Sequence, residues 1–330
     1  MEKFQNIISQ LAPDLQIVDK IILEFSVGKS PLIADISHHL ISSGGKRIRP
    51  ILLILAAKLC GTKSGEDHHN LAAAVELIHS ATLLHDDVVD VSDIRRGKKT
   101  ANAIWDNKAS ILVGDYLFSI AFQLMVRSKN LRVLDLLSKA SSIMADGEIM
   151  QLENSSDVAL TQEKYLEIIF GKTAVLFAAA CESGALINNR SEKEILALRD
   201  FGKNLGIIFQ IVDDMLDYSA QESVFGKNVG NDFFEGKITL PVILTYKQAS
   251  ESEQKFISEI FTKNLIASEK NQNDFAEILT LIEKYDGFKV ARNMALDHKA
   301  LALENLEIFP DSVAKRDLIA ILEYSLVRIF

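Results

Sequence analysis

The sequence predicts an all-α protein, and three observations carry the prediction. Long stretches place apolar residues at three- and four-residue spacing. No stretch sustains the period-two alternation of a half-buried strand. Only five prolines occur in 330 residues, and each stands where a helix can begin. Pro13 opens an expected helix at 13–25, and Ser30-Pro31 caps and opens one at 31–42. Pro50 starts 50–60. The next helix, 67–90, contains Leu71-Ala72-Ala73-Ala74-Val75-Glu76-Leu77-Ile78, apolar on nearly all sides, which marks it as buried. Helices at 108–128, 131–153 and 161–187 follow on periodicity alone. Ser191-Glu192-Lys193-Glu194 fits a capping box at the head of 192–218. Pro241 lies in the first turn of 238–249. The chain then continues through 252–265, 272–285, 287–307 and, after Pro310, 311–328. The two longest breaks, 91–104 and 219–237, are rich in charge and glycine, as functional loops often are. No linker composition interrupts the chain, so residues 1–330 read as one domain.

Composition narrows the function. The formal net charge is −9, from 36 Lys and Arg against 45 Asp and Glu, which argues against a general nucleic-acid binder. A hydrophobic share of 48% excludes a disordered chain. Cys60 and Cys181 are far apart in sequence and neither forms a Cys-x-x-Cys pair, so neither a disulfide framework nor a cysteine zinc site is expected. The polar opening, Met1-Glu2-Lys3-Phe4, is no signal peptide. No uninterrupted apolar run approaches the ~18 residues of a membrane span. The expected address is the cytoplasm.

Two aspartate clusters carry the chemistry. His85-Asp86-Asp87-Val88-Val89-Asp90 closes the apolar helix 67–90, and Asp86 and Asp90, four residues apart, share a face. His79 falls on nearly the same stripe. Gln210-Ile211-Val212-Asp213-Asp214-Met215-Leu216-Asp217 repeats the pattern, with Gly206, Gln210, Asp213 and Asp217 aligned on a second apolar helix. Stacked carboxylates on a buried helix repel each other and are costly unless a cation joins them. Neither helix supplies a lysine or arginine at the required spacing. A hard divalent ion such as Mg²⁺ does the task, and it favours carboxylates combined with substrate phosphates.

Basic segments answer these acids. Gly44-Gly45-Lys46-Arg47-Ile48-Arg49-Pro50 crowds three cations beside flexible glycines, a pattern suited to an oxyanion. Asp93-Ile94-Arg95-Arg96-Gly97-Lys98-Lys99 follows the first aspartates, and Gly226-Lys227 and Glu235-Gly236-Lys237 follow the second. Gly171-Lys172-Thr173 imitates the end of a P-loop, but the required glycine five positions earlier is replaced by Leu166 and no strand precedes it. Each basic segment alone is equally a solvated turn. Together with the aspartates they describe a site for a Mg²⁺-held diphosphate on a greasy substrate.

Taken in order, these motifs resemble the trans-isoprenyl diphosphate synthases, or polyprenyl synthetases, over most of the chain, and most of all the octaprenyl-producing bacterial members. The resemblance implies an isoprenoid synthase fold, with helices around a central deep cavity, usually as a homodimer. It implies that Asp86, Asp90, Asp213 and Asp217 bind Mg²⁺. Lys46, Arg49, His79 and Arg96 would hold isopentenyl diphosphate. Arg95, Lys172, Thr173, Gln210, Lys227 and Lys237 would hold the allylic diphosphate. Asp86, Asp90, Lys172 and Asp213 are the residues it makes catalytic. Lys98-Lys99 departs from the usual loop, in which a proline often precedes the threonine matching Thr100.

The reaction so implied is sequential condensation of isopentenyl diphosphate onto an allylic primer, from farnesyl to octaprenyl diphosphate, for quinone side chains, with transient membrane contact at product release. Ala81 and Thr82, just before Asp86, are small where short-chain members often carry aromatics, so a long product is expected. Three alternatives differ in testable ways. A short-chain synthase would need the growing tail blocked. A noncatalytic partner subunit typically lacks one aspartate motif, and both are intact here. A terpene cyclase has no use for the Lys46–Arg96 cation set. Cys60 and Cys181 read as core, and Trp105 and the phenylalanines have no assigned role.

Overall fold

The structure, a computed structural model, describes residues 2–26, 28, 30–42, 44–62, 67–95, 97–219, 230–266 and 271–327. The regular elements of the described residues are helical apart from one short hairpin. The elements are α1 (Glu2–Phe25), α2 (Pro31–Ser42), α3 (Ile48–Leu59), α4 (Asp67–Val89), a two-residue hairpin β1 (Ile94–Arg95) and β2 (Lys98–Lys99), α5 (Ala101–Trp105), α6 (Asn107–Arg127), α7 (Leu131–Glu153), α8 (Gln162–Ile169), a π-helical turn (Phe170–Ala174), α9 (Val175–Leu186), α10 (Glu192–Asp217), α11 (Asn231–Phe234), α12 (Leu240–Gln248), α13 (Glu251–Ile266), α14 (Gln272–Lys284), α15 (Gly287–Leu306) and α16 (Val313–Val327).

The expected helices are present, with three instructive differences. α1 begins at Glu2 and carries Pro13 inside rather than at its start. Its apolar stripe of Phe4, Ile7, Leu11, Val18 and Ile22 is buried along the whole length, and that burial outweighs the one backbone bond proline removes. The stretch 161–187 is broken by the π turn. The charged loop 91–104 is organised by the small hairpin and by α5, where Thr100 donates its hydroxyl proton to the Ser92 carbonyl at 2.7 Å. The capping box at α10 is formed as expected: Ser191 N–H donates to Glu194 Oε2 at 3.1 Å, and Glu194 N–H to Ser191 Oγ at 3.4 Å.

The chain sorts into two compact units. The first comprises Met1–Ser141, Leu176–Gly202 and Leu303–Tyr324. Its core is α3 and α4: Ile51–Ala57 and Leu71–Ile78 are buried, Glu76 included, as the unbroken apolarity of 71–78 demands. α4 makes its most extensive contact with α6. α1 covers α3 and α4 and is tied to them by polar contacts at two levels. Arg47 reaches Glu76 at 2.6 Å and Asp19 at 3.1 Å. Asp14 accepts from Lys58 at 2.6 Å and pairs with His69 Nε2 at 2.9 Å, beside His68. Burial, reinforced by the neighbouring His69, pushes the His68 pKa down to about 4.

The second unit comprises Ser142–Val175, Lys203–Ala302 and Ser325–Phe330. An aromatic cluster organises it. Tyr218 stacks on Phe275 at 5.6 Å, and Phe233 meets Phe261 edge-on at 5.2 Å and Phe275 at 5.5 Å. Several of the phenylalanines scattered through the sequence thus converge on one core.

Two helical stretches, Asn107–Arg127 and Gln162–Leu186, are long and apolar enough to cross a membrane by length and composition. Counting uninterrupted apolar residues misses them because small and polar residues are interspersed. The apolar window of the second is 83% buried within the protein, that of a core helix, whereas that of the first is 50% buried.

Candidate active site

In the first unit, α4 delivers the first aspartate cluster by its last turn. Asp86 and Asp90 are half-buried and Asp87 is buried between them. That is the face expected of positions four apart with an intervening residue turned inward. Asp87 accepts from Arg95 Nε at 2.7 Å. Burial raises the Asp87 pKa against the opposing pull of Arg95. Arg95 therefore commits one nitrogen to the protein, and its two terminal nitrogens are the donors an oxyanion would use. His85 turns to the Ile111 carbonyl at 3.2 Å. Gly114 makes room for it, since a Cβ there would stand 2.3 Å from His85 Nε2.

The basic segment before α3 divides by role. Lys46 is exposed and lies 5.0 Å above the Tyr324 ring. Arg49, in the first turn of α3, lies 4.7 Å over the Phe177 ring. Arg47, counted in the sequence as a third cation of the cluster, sits at φ 49° and spends its guanidinium on Asp19 and Glu76. It holds helices together and leaves the cluster with two cations. His79 is half-buried on α4, and Thr82 donates its hydroxyl to the His79 carbonyl at 2.9 Å. Ala81 is fully enclosed, so it borders no open wall, and of the two small residues only Thr82 keeps part of its surface accessible. Arg96 lies outside the described residues.

In the second unit, α10 carries the second cluster in a different setting. Asp213 is half-buried, while Asp214 is only 3% exposed and Asp217 only 6%. Asp214 accepts from Tyr165 Oη at 2.6 Å and from Gln210 Nε2 at 2.7 Å. Burial, aided by the nearby Asp232 charge, pushes the Asp214 pKa up to about 8. Asp217 accepts the backbone N–H groups of Asn231 at 3.1 Å and Asp232 at 3.0 Å, which fastens the start of α11. Gln210 also accepts from Thr173 Oγ1 at 2.7 Å. Thr173, Gln210, Asp214 and Tyr165 thus form one continuous hydrogen-bonded chain.

The Gly171-Lys172-Thr173 motif lies in the π turn. A Cβ on Gly147 would stand 2.5 Å from Lys172 N, and one on Gly171 would stand 3.0 Å from Gly147 Cα. The two glycines let α7 and the π turn meet backbone to backbone. That close approach, rather than phosphate wrapping, is the reason for glycine at 171. Lys172 is held by Glu148 Oε2 at 2.9 Å and Gln151 Oε1 at 2.8 Å. π turns inside helices recur at functional sites. Lys237 pairs with Glu235 at 2.7 Å, and Lys227 lies outside the described residues.

The donor sets suit a hard divalent ion. Asp86 with Asp90, and Asp213, offer partly accessible carboxylates and no soft ligand, the chemistry Mg²⁺ selects. Asp217 has committed both oxygens to backbone donors and has only remaining lone pairs to give. Tyr165, Glu148 and Gln151 were not anticipated from sequence. A tyrosine in line with Ile168 and Ile169 on the buried face of α8 was the one available signal, because a buried hydroxyl needs a partner.

The family model for polyprenyl synthetases matches residues 30–281. The octaprenyl diphosphate synthase of Haemophilus influenzae is 38% identical over 316 residues, covering 96% of this chain and 94% of the relative. The crystal structure of a decaprenyl diphosphate synthase from Rhodobacter capsulatus superposes with a TM-score of 0.93 at 41% identity, covering 99% of both chains. That of a polyprenyl synthase from Caulobacter crescentus, complexed with calcium and isoprenyl diphosphate, superposes with a TM-score of 0.92 at 39% identity, over 98% of this chain and 97% of the other.

Proposed function

The chain belongs to the polyprenyl synthetase family and is a prenyltransferase; from that premise we propose that it is a Mg²⁺-dependent, long-chain all-trans polyprenyl diphosphate synthase. Its substrates are isopentenyl diphosphate and an allylic diphosphate, its primer farnesyl diphosphate and its product octaprenyl diphosphate, destined for quinone side chains. It works in the cytoplasm as a homodimer, with transient membrane contact when the product leaves. The observation that carries the reading is the doubled pair of aspartates four apart, each at the end of an apolar helix and each accompanied by cations.

Asp86, Asp90, Asp213 and Asp217 would hold Mg²⁺, which supplies positive charge where negative charge grows on the leaving diphosphate. Lys46, Arg49, His79 and Arg96 bind isopentenyl diphosphate. Arg95, Lys172, Thr173, Gln210, Lys227 and Lys237 bind the allylic diphosphate. Lys172 and Lys237 are kept in place by Glu148 and Glu235, carboxylates that the more highly charged diphosphate displaces. Preorganised cations of this kind stabilise the leaving group without reorganisation during the reaction. The allylic C–O bond breaks and its electron pair leaves with the diphosphate. The isopentenyl double bond, held alongside, forms the new C–C bond to C1. A proton then leaves C2 of the added unit to the departed diphosphate, and the product is an allylic diphosphate longer by one unit. No side-chain nucleophile is needed.

The long-chain reading draws on Thr82, small and partly accessible, and on relatives named for octaprenyl and decaprenyl products. Incubation with farnesyl diphosphate, labelled isopentenyl diphosphate and Mg²⁺, followed by sizing of the products, tests it. An octaprenyl product is expected. Termination at geranylgeranyl length would make this a short-chain enzyme, and no product from intact protein would favour a noncatalytic partner subunit.

A further inference from the structure

Asp14 on α1 and His68 and His69 at the start of α4 bring three ligand atoms within 4.8 Å of one another. All three belong to the first unit. Eighteen residues of α4 separate His68 from Asp86, about 27 Å at 1.5 Å per residue, so the group is remote from the first aspartate cluster. His68 and His69 are buried, and their rings lie 3.9 Å apart. His69 Nε2 stands 2.9 Å from Asp14 Oδ1, and His68 Nε2 stands 4.0 Å from the same oxygen, beyond hydrogen-bond reach. We propose that Asp14, His68 and His69 form a second metal site, for a borderline transition ion of the Zn²⁺ class, that pins α1 to α4.

Ligand atoms about 2.0–2.1 Å from a tetrahedral ion are separated by about 3.3–3.5 Å. The two separations observed bracket that distance, so an ion closes the group with a small rotation of the His68 ring. Two imidazoles and one carboxylate select Zn²⁺ or Co²⁺ over Mg²⁺, which demands oxygen ligands. Lys58 supports the arrangement. It donates to Asp14 Oδ2 at 2.6 Å, which orients the carboxylate and leaves Oδ1 toward both rings, as outer-sphere donors do in metal sites. A water completes the fourth position. The competing account is a plain hydrogen-bonded staple of Lys58, Asp14 and His69.

The test uses the untagged full chain, stripped with EDTA and titrated with Co²⁺ and then Zn²⁺ in excess Mg²⁺, which occupies the aspartate clusters. Binding is followed by calorimetry and by the visible absorption of Co²⁺. One equivalent is expected to bind and to resist Mg²⁺, and Zn²⁺ should raise the unfolding temperature. His68→Asn and His69→Asn should each weaken binding by at least about 100-fold, and Lys58→Met, at a half-exposed position, by about tenfold. Asp86→Asn should leave it unchanged. Absence of binding in the presence of Mg²⁺ would overturn the site even if a histidine variant failed to fold. So would Co²⁺ binding that survives His68→Asn but is lost in Asp86→Asn.

Discussion

The two aspartate clusters have the same spacing and differ in how each neutralises its buried middle member. In the first unit Asp87 is answered by a charge, the Arg95 guanidinium at 2.7 Å. In the second, Asp214 is answered by neutral donors, Tyr165 and Gln210. The last members differ as well: Asp90 is half-buried, whereas Asp217 is buried and caps the start of α11. One motif therefore supports two local chemistries. Burial raises the pKa of both; at Asp87 the Arg95 charge opposes the rise, and at Asp214 the Asp232 charge reinforces it. The repetition in sequence is a repetition of spacing, not of electrostatics.

The largest effect should fall on what the clusters share. Asp86→Asn and Asp213→Asn should each lower turnover by about 10²–10³-fold or more, with circular dichroism and unfolding transitions near those of the parent. Near-normal turnover of either folded variant at saturating Mg²⁺ would show that its cluster holds no catalytic metal. Asp217→Asn should separate the clusters, weakening the fold around α11 as much as catalysis.

Next comes product length, which the proposal attaches to the helix of the first cluster. Thr82→Phe should shorten the products by several isoprene units while the first condensations proceed, because a close-packed interior does not move aside for a ring. Ala81→Phe should shorten them too, and because Ala81 is enclosed it should also cost about 1–3 kcal/mol by overpacking. Unchanged product length in active, folded variants of both kinds would place the tail elsewhere.

Stability should then distinguish the middle aspartates. Asp87→Asn strands the Arg95 charge. Because Arg95 is 36% exposed, solvent screens the loss, and about 1–2 kcal/mol is expected from urea unfolding. Asp214→Asn exchanges one uncharged group for another at about pH 4, near the unfolded carboxyl pKa, and should there cost less than about 1 kcal/mol.

The same variant should also change a slope. A carboxyl whose folded pKa lies above its unfolded value contributes its stability fully below the unfolded value of 3.8. That contribution is lost as pH rises through the folded value, about 8 for Asp214. In metal-free protein, the stability of Asp214→Asn relative to the parent should therefore improve steadily from pH 5 to pH 8. A flat difference would mean that Asp214 is ionised throughout.

Much of this was legible in the sequence. Helical periodicity located the long helices within a few residues, because burying a stripe of apolar side chains is a local requirement that repeats every turn. Spacing placed Asp86 and Asp90 on a common face for the same reason. The capping box at Ser191 was readable because both partners lie within one turn.

What the sequence could not express were partnerships between distant segments. Arg47 reads as one of three equal cations until Asp19 and Glu76 claim it. Ala81 reads as an open wall until packing encloses it. Pro13 reads as a helix start, although tertiary burial carries α1 through it. Asp14 lies 54 positions before His68, a separation that no local spacing pattern spans. The sequence alone determined an all-α chain of the polyprenyl synthetase kind, with duplicated acidic pairs and cations beside them, because helix period and motif spacing are local. Only the tertiary structure decided which charges answer which, that Asp87 faces arginine while Asp214 faces tyrosine, because a pKa or an ion pair depends on which atoms lie within a few ångströms, whatever their separation along the chain.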